Sequence, residues 1–135
     1  MLILLTHFPL PFQTVTPGPP SVPEVTKINK NSMTVVWSRP VADGGSDISG
    51  YILEKRDKKS LGWFKVLKET IRDTRQKVTG LTEHSDYQYR VCAVNAAGQG
   101  PFSEPSDFYK AADPIGKCGL FTCVIFHVAQ LYIIA

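Results

Sequence analysis

The sequence predicts an all-β fold, an antiparallel sandwich of about seven short strands. Three observations carry this. Apolar residues recur at every second position in short runs, as in Met33-Thr-Val35-Val-Trp37 and Tyr87-Gln-Tyr89-Arg-Val91. Turn formers punctuate these runs, with ten glycines and ten prolines in 135 residues. No stretch of the charged middle keeps a helical period for longer than a turn.

The elements follow in chain order. Pro17–Pro23 (PGPPSVP) is an extended entry, because proline fixes φ and cannot donate to a ladder. Glu24–Lys30 is a short strand with Val25 and Ile28 as its apolar members. Ser32–Trp37 follows, with Met33, Val35 and Trp37 on one face. Pro40–Ser49 is a loop in which Gly44-Gly45 marks positive φ. Tyr51–Arg56 turns Tyr51 and Leu53 inward, and Trp63–Lys68 is a strand that leaves open which of Trp63 and Phe64 faces the core. Arg75–Val78 leads through Leu81 to the longest alternating run. There Tyr87, Tyr89, Val91, Ala93 and Asn95 share the inner face, while Gln88, Arg90 and Cys92 face solvent and Val94 lies outside. Gly98–Pro101 is an exit turn and Asp107–Ala111 the last strand. The expected core is Met33, Val35, Trp37, Tyr51, Leu53, Leu81, Tyr87, Tyr89, Val91 and Ala93.

Charge divides the chain into three parts. Residues 1–16 carry no charged side chain, and residues 116–135 carry only Lys117. The expected domain is therefore 17–115, with irregular apolar flanks on either side. MLILL lacks the basic start of a signal peptide. Gly119–Ala135 has the minimum length of a membrane span, but His127 and Gln130 interrupt it and no basic cluster follows. Cys118, Cys123 and His127 make only a weak metal set. One reading joins both ends. PLPFQ is what a pyrimidine-rich stretch ending in CAG encodes, and Gly116-Lys117 is what GGTAAG encodes. The flanks are thus expected to be translated non-coding sequence around a single exon, and the tail is left unassigned.

The net charge of +3 is spread over interspersed residues, which disfavours nucleic acid as a partner. Cys92 is the only cysteine of the middle segment, so that segment closes no disulfide of its own. With no Asn-x-Ser/Thr sequon present, the chain is expected in a reducing, cytoplasmic setting. His7, His84 and His127 lie in separate segments without a nucleophile at catalytic spacing. Asp43-Gly-Gly-Ser-Asp47 and Gly98-x-Gly100 read as turns, because neither sits between a strand and a helix. No catalytic residue, cofactor, metal or small-molecule substrate is expected. Cys92 is expected to be an inert surface thiol.

Several separated positions carry a family pattern. They are Pro19-Pro20, Trp37, Gly50-Tyr51, Leu81 with Tyr87, Tyr89-Arg90-Val91, Ala93-Val94-Asn95, Gly98-x-Gly100-Pro101 and Ser103-x-Pro105. In this order and spacing, Pro17–Ile115 resembles a fibronectin type III domain. The runs SRPVADGGSDISGYILEKRD, VNAAGQGPFSEPS and KAADPI resemble modules of giant muscle proteins, most of all A-band modules of titin. The resemblance implies a seven-stranded immunoglobulin-like sandwich, and it implies that Tyr87 is a "tyrosine corner" whose hydroxyl bonds the backbone upstream. It also implies a structural and interaction module of the sarcomere thick filament. Its partners would be myosin, myosin-binding protein C and neighbouring modules. Lys55, Arg56, Lys58 and Lys59 are the candidate docking surface, with a solvated loop as the plainer reading. The rival function is an extracellular or membrane-anchored adhesion module. The lack of an Arg-Gly-Asp triplet and of sequons counts against it.

Overall fold

A computed structural model describes residues 14–114. The two apolar flanks lie almost wholly outside the described residues, and with them the expectations for Gly119–Ala135 and for Cys118, Cys123 and His127. Among the described residues no helix is long and apolar enough to cross a membrane, and no group of three or more metal-ligating side chains gathers.

The strands are β1 (Glu24–Ile28), β2 (Met33–Val36), β3 (Gly50–Asp57), β4 (Phe64–Lys65), β5 (Arg75–Val78), β6 (Asp86–Asn95), β7 (Gly98–Gln99) and β8 (Tyr109–Lys110). They form two antiparallel sheets. The smaller runs β1-β2-β5, and the larger runs β4-β3-β6, with β7 and β8 along the far edge of β6. The long β3–β6 ladder pairs Gly50 with Val94 through to Asp57 with Tyr87.

β7 and β8 are two ends of one interrupted strand, which reconciles eight strands with an expectation of seven. β7 pairs with Val94 and Asn95, and β8 with Asp86 and Tyr87. Between them Ser103 and Ser106 keep the edge attached. The Ser106 amide donates to the Tyr89 carbonyl at 2.8 Å, and the Tyr89 amide donates back to Ser106 Oγ at 2.9 Å. Ser103 and Val91 repeat the exchange at 2.8 and 3.2 Å. A hydroxyl thus replaces a ladder carbonyl twice. Pro101 and Pro105 are exposed on this outermost segment, where a missing donor costs no ladder bond.

The core lies between the sheets. Met33, Val35, Tyr89, Val91 and Ala93 are fully buried, and Trp37, Tyr51, Leu53, Leu81 and Tyr87 nearly so. Trp37 meets Tyr51 edge-on, with centroids 5.6 Å apart. Ile71, Val78 and Ala111 also belong to the core. Ile71 sits in a short stretch that reads as loop, yet it bridges to Tyr51 through two 2.8 Å backbone bonds where the chain crosses between sheets.

Four local expectations need correction. Cys92 points to the outer face but has no exposure at all. Its small side chain sits on the central strand, opposite Ile52 and between Arg90 and Val94, so larger neighbours cover it. Trp63–Lys68 is strand only at Phe64 and Lys65, and neither aromatic enters the core. Instead Val66 packs against it. Gly98–Gln99 is strand rather than pure turn. Val15, assigned to the flank, is attached to the domain, since its amide donates to the Gly44 carbonyl at 2.8 Å.

Candidate protein interface

The outer face of the larger sheet gathers the charged and aromatic side chains that the core excludes. Alternation along β6 puts Gln88 and Arg90 on this face, and the register sets Arg56 opposite Gln88 and Glu54 opposite Arg90. Trp63 enters from the residue before β4, and Phe102 and Phe108 from the interrupted edge. These residues stack alternately. The Arg90 guanidinium lies 4.0 Å from the Phe102 ring centre and 4.5 Å from that of Trp63. Arg56 lies 5.7 Å from Trp63 and 5.5 Å from Phe108, and Lys58 Nζ lies 5.6 Å from Phe108. The row across the face is therefore Phe102, Arg90, Trp63, Arg56, Phe108, Lys58.

Hydrogen bonds hold the row in register. Arg90 donates through Nε and Nη2 to Glu54 Oε1 at 2.9 and 2.7 Å. Arg56 Nε donates to Gln88 Oε1 at 3.0 Å, and Gln88 Nε2 donates to the Ser106 carbonyl at 3.0 Å. Each cation over a ring contributes ~0.5–1 kcal/mol at exposed sites and about 2 when desolvated. The row is thus held together by contacts within the domain itself.

Of the four sequence-derived docking candidates, the structure brings together Arg56 and Lys58. Lys59 is exposed beside them in the turn after β3, where its amide donates to Asp57 Oδ1 at 2.9 Å. Lys55 does not join. It lies on the opposite face of β3, with its ammonium 5.7 Å from the Tyr87 ring. Trp63, Arg90, Phe102 and Phe108 belong to the row, but no sequence pattern marked them as a docking surface. Outward alternation on β6 singled out Arg90, whereas only strand register joins it to the three rings.

Elsewhere, a cleft of about 700 Å³ opens beside Trp37, lined by Arg39, Asp47, Tyr51, Arg72 and Asp73 among others. Neither histidine nor cysteine lines it. His84 is exposed in the turn before β6 at φ 71°, where its amide donates to the Ala111 carbonyl at 2.6 Å. The Cys92 thiol is pushed up from 9.0 to about 11, chiefly by burial, and it stays protonated and unreactive at neutral pH.

Comparison with known proteins bears on the fold. The fibronectin type III domain model covers residues 18–109. Cardiac-type myosin-binding protein C of Mus musculus is 36% identical over 103 residues, which is 76% of this chain and 8% of that protein. Myomesin-2 of Homo sapiens is 42% identical over 80 residues, 59% of this chain and 6% of that one. The chain thus spans under a tenth of these relatives' length. Among solved structures, titin module A71 from human cardiac muscle is 40% identical with a TM-score of 0.64, covering 70% of this chain and 92% of that one. Titin domains A168–A170 superpose with a TM-score of 0.70 at 34% identity, covering 74% of this chain and 34% of that one. The chain belongs to the fibronectin type III family, and its module is similar to those of titin and myosin-binding protein C.

Proposed function

We propose that this chain acts as a non-catalytic structural and interaction module of a sarcomeric filament, bearing load along its length and docking proteins on its outer sheet face. The observation that carries the reading is where the described chain enters and leaves. Entry is tied to one end of β6, where Asn95 Nδ2 donates to the carbonyls of Val15 and Asp43 at 2.8 and 2.7 Å. Exit is tied to the other end, where β8 pairs with Asp86 and Tyr87. At about 3.3 Å per residue these points lie on the order of 30 Å apart. Tension between them runs along the strands. It shears many ladder bonds together rather than peeling them singly.

The similarity to modules of titin, myosin-binding protein C and myomesin supports a cytoplasmic, thick-filament location in the A-band. Myosin, myosin-binding protein C and neighbouring modules are the partners this similarity favours. The full chain carrying a fluorescent tag, expressed in cardiac myocytes, is expected to collect in A-band stripes. Diffuse signal or membrane recovery in carbonate would overturn the reading.

A further inference from the structure

We propose that the row from Phe102 to Lys58, with the adjoining turn and β4, docks an acidic segment of a partner protein that also carries apolar side chains. This rests on reading the outer face as an interaction surface and specifies what it recognises.

Charge supports the choice. Without Lys55, which lies on the other face, residues 54–68 hold five basic and two acidic side chains, a net +3 that equals the net charge of the whole chain. Both acids are already engaged. Glu54 accepts two bonds from Arg90, and Asp57 accepts from the Lys59 amide. Lys58, Lys59 and Lys65 are exposed and form no ion pair among the described residues. Uncompensated cations beside a preformed surface favour a partner of opposite sign and speed its encounter.

The apolar part supports a protein. Leu61 is 99% exposed in the turn between β3 and β4, close in the chain to Lys58 and Lys59. Trp63, Phe102 and Phe108 are half-buried and already positioned, so covering them costs little side-chain entropy. Trp, Phe and Arg are the types that dominate protein interfaces. Nucleic acid fits less well, because the guanidiniums of Arg56 and Arg90 already lie over the rings on which bases would stack.

The test is fluorescence anisotropy of a labelled peptide of alternating Glu and Tyr, titrated with the full chain. Saturable binding is expected, and no binding of the Lys-for-Glu peptide. The Lys58→Glu/Lys59→Glu variant should lose about tenfold in affinity or more, equivalent to ~1.4 kcal/mol. Lys27→Glu/Lys77→Glu, which makes the same charge change on exposed positions of the smaller sheet, should bind as the parent does. Equal losses in both variants would mean that total charge alone acts, and would overturn the proposal. So would absence of peptide binding, or tighter binding to phosphatidylserine vesicles or single-stranded DNA. A-band localisation retained without acidic-peptide binding would reject this partner chemistry while leaving the proposed function intact.

Discussion

The hydroxyl oxygen of Tyr87 accepts a hydrogen bond from the Thr82 amide at 2.8 Å, and this pins the turn between the sheets to the start of β6. The phenol ring is buried, so the bond is shielded from water. Tyr87→Phe leaves the ring in place and orphans the amide. We expect a loss of about 1–3 kcal/mol in urea unfolding with the slope unchanged. An unaltered midpoint would remove the tyrosine from this role.

Trp37 is 6% exposed and supplies the largest side chain of the core. Trp37→Ala should cost ~3–5 kcal/mol, comparable with much of a small domain's stability. Cooperative unfolding should disappear. A variant that melts within a few degrees of the parent would contradict this core.

The hydroxyls of Ser103 and Ser106 stand in for ladder carbonyls along β6. Ser106→Ala leaves the buried Tyr89 amide without its acceptor, at a cost of about 1–3 kcal/mol. The double variant with Ser103→Ala should also speed hydrogen exchange at Tyr89 and Val91 relative to the rest of β6. Uniform exchange along the strand would show that these hydroxyls are dispensable.

Cys92 predicts a pH effect. Its folded-state value is raised from 9.0 to about 11, mainly by burial. The folded state therefore holds the proton more tightly. The resulting stability is complete below pH 9 and is lost as pH rises through about 11. The stability difference between parent and Cys92→Ala should shrink over that window. A thiol reagent at neutral pH should label Cys92 only after unfolding. Prompt labelling of the native chain at Cys92 itself, located by peptide mapping apart from Cys118 and Cys123, would refute its burial.

Asn95 ties the entering chain to the loop at Asp43 through two side-chain bonds. Asn95→Ala should lower the force at which a single molecule unfolds when pulled from its ends. Its rate of folding without load should change less. An unchanged force would mean that the entry segment bears no load.

The inner face of the sandwich was legible from the residues alone. Alternation needs only the strand period, so Tyr87, Tyr89, Val91 and Ala93 sorted correctly, as did Met33, Val35 and Trp37. Ile71 and Ala111 were not legible, because each is an apolar residue near a strand end or crossing with no run to give it a period. The burial of Cys92 escaped for a different reason. Alternation assigns a face correctly but says nothing of how tall the neighbours on that face are.

The candidate interface divides in the same way. Local sequence placed Arg90 outside and made 54–68 basic, since charge and period are properties of neighbours in the chain. That Arg90 lies between Trp63 and Phe102, and Arg56 between Trp63 and Phe108, comes from the pairing of β3 with β4 and β6 and from the serine-bound edge. Sequence alone determined the fold class, the two faces of each strand and the excess of positive charge. Tertiary structure decided which outward side chains meet, because register is set by the whole buried face, and a slip of one residue would exchange inner and outer faces altogether.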